Sequence, residues 1–503
     1  MLRNIGANWV LTLLSIVSAY VLMPYTINAL GKDGYGVWIL ITAVTGYLGL
    51  LVLGTPMTSV RFLAKSIAAN DGEKVNQYVA GFAGLYLGLG AVCILIGAVL
   101  YLVMPHLFDI PVEYQDEARV AFVLVVFNTA AGFLQQLPYG IFSAHNDFVK
   151  KNLMMGSLIL FRLLLTLLLL IWWPAVTTIA LIQTISIAAE MCAAFVLLRK
   201  TYPEIALRVG RFQVGTLREV LSFTGYVIVL QIGMMLSYQT DALVIGGLLS
   251  VEKITDYTVA NSLTVYYMQF IVAIASVVMP MSTTLQGKED WDGLRRLFLK
   301  WSKISLGLTL VGGLYLLVLG PRFLAWWLGA EFEHSAGGVL VVLMASFILF
   351  LPVRGVAQPM LMGLGIPQRA TRAFLLAGIL NLVISLILAK PLGIMGVALG
   401  TAVPTVIYAM YVAHLGCKAV GVPMTEYLRY VYLRGAIISI PVLALLRLLL
   451  WRYDPRSFVA LFLCGVCSAS VFAVLWTVFV IRNDEYISMD GLLERVRRRG
   501  KST

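Results

Sequence analysis

The stretch ANWVLTLLSIVSAYVLMPYTINAL, residues 7–30, followed by the turn Gly31-Lys32-Asp33-Gly34, decides the fold class. As a helix it is about 36 Å long, at about 1.5 Å per residue. That exceeds the ~30 Å hydrocarbon core of a bilayer. It is too long for the apolar core of a secretory signal, and no A-x-A site closes it, so it reads as a first membrane span. Working outward, 14 segments of this kind are expected, near 7–30, 36–58, 79–104, 118–143, 153–173, 175–198, 220–249, 255–282, 302–320, 337–363, 373–390, 392–416, 433–451 and 457–481. With no water to satisfy backbone polar groups in lipid, each must be a helix. Short alternating segments of the β-barrel kind do not occur. The fold class is therefore all-α and polytopic.

Composition agrees. Of 503 residues, 60% are apolar and 12% charged, against about 45–50% and about 25% in soluble domains. A soluble enzyme or a nucleic-acid-binding protein is excluded on this ground, in spite of the net charge of +12. Five cysteines, mostly in apolar runs, form no disulfide framework and no metal-ligand pattern. The sequence calls for no cofactor.

Charge position sets topology. With both termini on one side, that side holds 27 Lys and Arg, the other 7, and Arg162, Arg354 and Arg447 fall inside spans. The asymmetry predicts cytoplasmic termini. The chain also repeats. Pro56-Met57-Thr58 matches Pro280-Met281-Ser282 at an offset of 224; Gly31…Tyr35 matches Ser250…Tyr257 at 222; Pro138 matches Pro359 at 221. Two six-helix lobes are expected, 1–198 and 220–416, pseudo-symmetric about an axis along the membrane normal, with a cavity between them. A basic cytoplasmic linker (199–219), additional helices 13 and 14 (417–481) and a basic cytoplasmic tail (482–503) complete the organisation. Gly84-x-x-x-Gly88 and Gly396-x-x-x-Gly400 are read as helix-packing stripes.

Six-plus-six spans, two further helices, Asn4-x-x-x-Asn8-Trp9, Leu30-Gly31-Lys32-Asp33-Gly34-Tyr35-Gly36 and Asp241-x-x-x-Ile245-Gly246…Tyr257 resemble the polysaccharide-biosynthesis branch (O-antigen or repeat-unit flippases) of the multidrug/oligosaccharidyl-lipid/polysaccharide exporter superfamily. The resemblance covers most of residues 1–416. It implies a bacterial inner-membrane transporter, not an enzyme. It would move an undecaprenyl-diphosphate-linked oligosaccharide, such as a lipopolysaccharide repeat unit, from inner to outer leaflet by alternating access, coupled to a H+ or Na+ gradient.

On that footing the in-span charges become candidates, since each costs about 2.5–3.5 kcal/mol at mid-bilayer. Arg162 and Arg354 lie near the midplane, one in each half, and a guanidinium fork suits a diphosphate. The competing reading pairs each with a buried carboxylate or has it cap a broken helix near Pro352. Arg61, after the second span, is a third substrate-binding candidate, or else an ordinary positive-inside anchor. Asp241 and Glu190 are candidates for ion coupling, since a buried carboxylate takes up a proton or holds Na+; a structural role beside an Arg is the alternative. In-span Asn and Gln residues serve either sugar hydroxyls or interhelical hydrogen bonds. The tail's cations suit membrane lipid, or docking to other polysaccharide-assembly membrane proteins. The Gly500-Lys501-Ser502 end is no P-loop, because no helix follows to receive a phosphate. Two other classes are weighed: a multidrug-type small-molecule antiporter, disfavoured by the additional helix pair, and a membrane glycosyltransferase or polymerase, disfavoured by loops of only about 20 residues without paired carboxylates.

Overall fold

The computed structural model describes residues 2–52, 54–210, 231–237, 239–272, 274–482 and 484–487, with side chains from Val10 onward. Among these the chain is helical and contains no strand. Twelve helical stretches are long and apolar enough to cross a membrane. The first runs from Val10 to Ala68 and covers both of the first two expected spans. The expected seventh span is described only over Gln231–Ser237 and from Gln239 on. The linker beyond Gly210, the Asn4/Asn8/Trp9 side chains and the tail beyond Ile487 lie outside the described residues.

The protein is thus a multi-pass all-α membrane protein. Backbone packing divides it into two compact units, Met1–Thr255 and Asp256–Thr503.

In the first unit, the Leu2–Gly46 helix is broken at Gly31, whose φ of 71° is open to glycine at little cost. Gly34 and Gly36 follow it into the second span. A tight turn over Tyr47–Val52 then leads to Gly54, again left-handed (φ 72°), which starts the Thr55–Ala68 helix at a new angle. The second expected span is therefore interrupted. The eighth is interrupted at the corresponding place, between Val251–Val272 and Ala275–Gly287. Both breaks sit at the offset of the sequence repeat. Paired interruptions of this kind are a pointer to where a transporter builds its binding site.

The helices Gly72–Leu107, Gln115–Ala144, Phe148–Trp172 and Val176–Thr201 complete the first unit, together with the short Thr240–Leu248 helix. Asp71 caps the first of them by accepting from Lys74 N at 3.0 Å. The start of the expected linker is fixed: Ala206 N donates to Asn76 Oδ1 at 2.7 Å and Gly210 N to Ala80 O at 2.9 Å. This docking explains Gly84, where a Cβ would overlap the Gly210 carbonyl. The stripe reading holds only there, because Gly88 faces open space. Asp147 accepts from the Tyr202 hydroxyl at 2.5 Å and from Lys150 at 3.0 Å, tying two turns together. The Tyr202 bond holds the Asp147 carboxyl below its ordinary range, against the upward push of burial.

The second unit is built on the 38-residue Trp291–Leu328 helix, packed by Gly337–Gly363, Gln368–Leu392, Ile394–Ala419, Met424–Tyr453 and Phe458–Ile481. The eleventh span ends at Gly393 (φ 60°), not at the expected Lys390-Pro391, since proline is tolerated in a membrane helix. Gly396 and Gly400 do pack: a Cβ would overlap the Leu388 carbonyl and the Ser385 side chain, respectively. Asn381 donates to Thr401 at 3.0 Å across the same pair of helices. Cys464 is buried, whereas Cys467 is exposed, so only one of that pair is a core residue.

One of the 27 cations assigned to the cytoplasmic-side loops, Lys303, lies elsewhere. Lys303 is buried within the Trp291–Leu328 helix and ion-pairs with Asp484, just past the last span. Asp484 also accepts from the Tyr430 hydroxyl at 2.6 Å and from the backbone of Tyr486 and Ile487 at 2.9 and 3.0 Å. Lys303 lies 3.5 Å from the Tyr430 ring centroid. Burial raises the Asp484 carboxyl, but the bonds from Lys303 and Tyr430 outweigh it, and the net displacement is downward.

Breaking this pair leaves a charge buried alone, at a cost of about 3–5 kcal/mol. Lys303→Ala is expected to lower the thermal midpoint of the detergent-solubilised protein more than Lys300→Ala does. A carboxyl held low in the fold stabilises above its unfolded value, near 3.9, and loses that contribution as pH falls. Midpoints measured between pH 3 and 7 should therefore decline on the acid side in the native protein, and decline less in Asp484→Asn. Equal acid limbs would refute this role.

Candidate functional site

Arg162 is carried by the Phe148–Trp172 helix, apolar on all sides by sequence. Burial separates its faces. Leu153, Leu160, Leu164, Leu168 and Ile171 are 44–75% exposed and fall on one stripe, the side offered to lipid. At about 100° per residue, Arg162 lies roughly 170° away from that stripe. It shares its own side with Thr166, which is buried and bonds back to the Arg162 carbonyl at 2.8 Å. Arg162 is nonetheless exposed. It therefore opens onto unfilled space on the protein side of its helix. No ion-pair or hydrogen-bond partner of its guanidinium occurs among the described residues. The reading in which a buried carboxylate neutralises it fails on these residues.

Glu190, on the neighbouring Val176–Thr201 helix, shows the same disposition. Leu181, Ile185 and Val196 are the exposed apolar stripe, and Glu190 lies about 150° from it. The Tyr139 hydroxyl donates to its carboxylate, and Gln135 Nε2 donates to that hydroxyl at 3.3 Å. The result is a polar chain of three on the Gln115–Ala144 and Val176–Thr201 helices. Glu190 and Arg162 are on adjacent helices but are not ion-paired.

In the second unit, Arg354 sits in a π-type turn, Val353–Ala357, directly after Pro352. Proline removes a backbone donor and crowds the preceding turn, and such bulges are frequent at functional positions. Arg354 Nη1 donates to Gln358 Oε1 at 2.6 Å, and the guanidinium lies 5.9 Å from the Phe374 ring centroid. Its Nε is buried without a hydrogen-bond partner among the described residues. No carboxylate approaches it there. An unpaired buried donor costs about 1–3 kcal/mol, a cost that an incoming anion would remove.

Asp241 is placed differently. It is buried in the first turn of Thr240–Leu248, where the helix dipole favours an anion. The adjacent Thr240 hydroxyl and the Tyr47 hydroxyl are 2.6 Å apart, and Gln239 packs on Gly46. Tyr238, three residues before Asp241, lies outside the described residues. Arg61 is exposed on the Thr55–Ala68 helix. Asn128, by contrast, serves a helix contact, donating to Ala180 O at 3.5 Å.

Tyr139 and Phe374 escaped the sequence. Tyr139 follows Pro138 and Gln135-Gln136, a polar cluster inside an apolar run that could have flagged it. Phe374 carries no local signal.

The family model for "Polysaccharide biosynthesis protein" matches residues 1–286. The chain belongs to this family. Among relatives, the "Uncharacterized membrane protein EpsK" of Bacillus subtilis is 23% identical over 97% of this chain and 91% of its own. The "Probable low-salt glycan biosynthesis flippase Agl15" of Haloferax volcanii is 28% identical over 39% of this chain and 42% of its own. Among solved structures, the lipid II flippase MurJ in an inward closed conformation superimposes with a TM-score of 0.70 at 14% identity, covering 95% of this chain and 99% of that one. An inward-facing multidrug resistance MATE transporter of the MOP superfamily gives 0.67 at 17% identity, covering 82% and 94%. These two likenesses carry the fold.

For this polysaccharide biosynthesis family member, the face assignment of Arg162 is directly measurable. In a chain whose native cysteines are replaced by Ser, Arg162→Cys is expected to react with a membrane-impermeant maleimide in bilayer vesicles. Leu164→Cys, two residues on but on the lipid stripe, should stay unlabelled. Equal labelling of both would refute the assignment.

Proposed function

We propose that the protein is a flippase that carries an undecaprenyl-diphosphate-linked oligosaccharide from the inner to the outer leaflet of the bacterial cytoplasmic membrane, with both termini in the cytoplasm. The observation that carries this reading is the state of its in-span arginines. Arg162 is turned from lipid, accessible and without a counter-charge among the described residues; Arg354 holds an unsatisfied buried N–H. A diphosphate suits an uncompensated guanidinium fork, being anionic and able to accept two parallel N–H bonds. The family, named for polysaccharide biosynthesis, and relatives that include a glycan biosynthesis flippase support the same substrate class.

The work of the protein in this reading is binding and release, not bond-making. The guanidinium groups replace the water that the diphosphate loses on leaving the interface. In-span amides and hydroxyls meet sugar hydroxyls. Glu190 and Asp241 are the proposed carboxylates for H+ or Na+ coupling. Glu190 is the better placed for a proton, because the Tyr139 hydroxyl and Gln135 give its charge partners when ionised. Arg61 serves as an accessible cation on the approach to the site.

Arg162→Ala and Arg354→Ala are each expected to reduce surface glycan tenfold or more in a complementation assay, with the protein still inserted at native levels and lipid-linked glycan accumulating inside. Arg162→Lys should retain part of the activity. Unchanged export with both arginines replaced would overturn the proposal. Glu190→Gln is expected to remove the response of export to a proton gradient; an unaltered response would transfer coupling to Asp241.

A further inference from the structure

A second binding feature lies in the first unit, away from Arg162 and Glu190. At the Leu107 end of the Gly72–Leu107 helix, a cavity of about 520 Å³ is lined in part by His106, Asp109, Gln115 and Arg119. Adjoining it, between that helix and Gln115–Ala144, runs a groove of about 340 Å³ whose walls are apolar apart from Tyr101. Tyr101 and Phe122 line both spaces, with ring centroids 6.4 Å apart. The polar mouth and the apolar groove thus lie side by side, bordered by the same two residues.

Its dimensions match a membrane lipid. The groove reaches to Ile94, about 20 Å along the helix from Leu107 at about 1.5 Å per residue. One leaflet of hydrocarbon is about 15 Å deep. The floor is set by Gly97, where a Cβ would overlap the Val126 side chain, so the two helices close there and the trough stays open above. Ala98 leaves it unobstructed on the membrane side.

The mouth names the headgroup. Arg119 gives one N–H to Asp116 at a long 3.4 Å, which leaves most of its five donors, and His106 adds another ring nitrogen. Against these stands the Asp109 carboxylate, which also lines the mouth. A mouth with both signs opposes a diphosphate, which is purely anionic, and suits a headgroup carrying a phosphate and an ammonium together. We propose that this site holds one aminophospholipid, with its phosphate at Arg119 and His106, its amine at Asp109 and one acyl chain in the groove between Ile94 and Phe127. In the orientation given under the proposed function, it belongs to the outer leaflet; the lipid assignment itself does not rest on that function.

Native mass spectrometry of the full chain, with phosphatidylethanolamine, phosphatidylglycerol or a polyprenyl diphosphate added, tests it. One phosphatidylethanolamine should be retained at collision energies that strip phosphatidylglycerol. Ala98→Trp, which fills the groove, and Asp109→Asn, a surface change that leaves the helices intact, should each lower that retention fivefold or more. Ile437→Trp, on an exposed helix face elsewhere, should not. Retention unchanged in both variants, equal retention of the two phospholipids, or displacement by the polyprenyl diphosphate would each overturn the proposal.

Discussion

The cost of holding an ion in hydrocarbon governs this molecule. A charge at mid-bilayer costs about 2.5–3.5 kcal/mol on insertion scales, and more where it cannot reach the interface. Arg162 and Glu190 both meet that constraint in the same way: each sits on the side of its helix opposite the leucine and isoleucine stripe. Arg162 goes further, because it is turned from lipid and yet not neutralised by a carboxylate among the described residues. A cation that is neither in lipid nor paired needs water or an anion. The functional reading follows from that need.

The same constraint explains where the ion pairs are. Lys303–Asp484 and Arg295–Glu426 lie at one end of the second unit's helices, and Arg322 bridges Glu333 and Asp454 at the other. In the first unit, Asp147 ties Lys150 and Tyr202 at a turn. Paired charges fasten the ends of helices, where water is near. The mid-span charges are left with neutral partners: Tyr139 and Gln135 for Glu190, Gln358 and Phe374 for Arg354. Ion-paired charges and the charges proposed for function are thereby separated by depth.

Much of the fold was legible in the chain because the bilayer imposes one length and one secondary structure. Gly31 announced a break through its turn composition, and Gly396/Gly400 announced close packing. Other features had no local signature. The Tyr47–Gly54 interruption is written in residues nearly as apolar as a continuous helix, with only Gly49 and Gly54 to mark it. Lys303 looked like a loop cation because its partner, Asp484, is 181 residues away. The face of Arg162 was unreadable for a physical reason: a helix flanked by lipid and protein is apolar all round, so the amphipathic pattern that reveals a buried face in a soluble protein is absent. Burial supplied what periodicity could not. The residue types at the site were found from sequence; the grouping of Glu190 with Tyr139 and the π-type turn beneath Arg354 were not.

The central claim is that an uncompensated guanidinium at Arg162 receives a diphosphate inside the membrane. The most direct measurement is flipping in proteoliposomes that contain a fluorescent polyprenyl-diphosphate glycan, with leaflet position read by a membrane-impermeant quencher. The native protein should move the lipid across within minutes, Arg162→Ala should abolish movement, and the same glycan on a neutral lipid carrier should not be moved. Flipping of the neutral carrier at the native rate, or full activity in Arg162→Ala, would contradict the account.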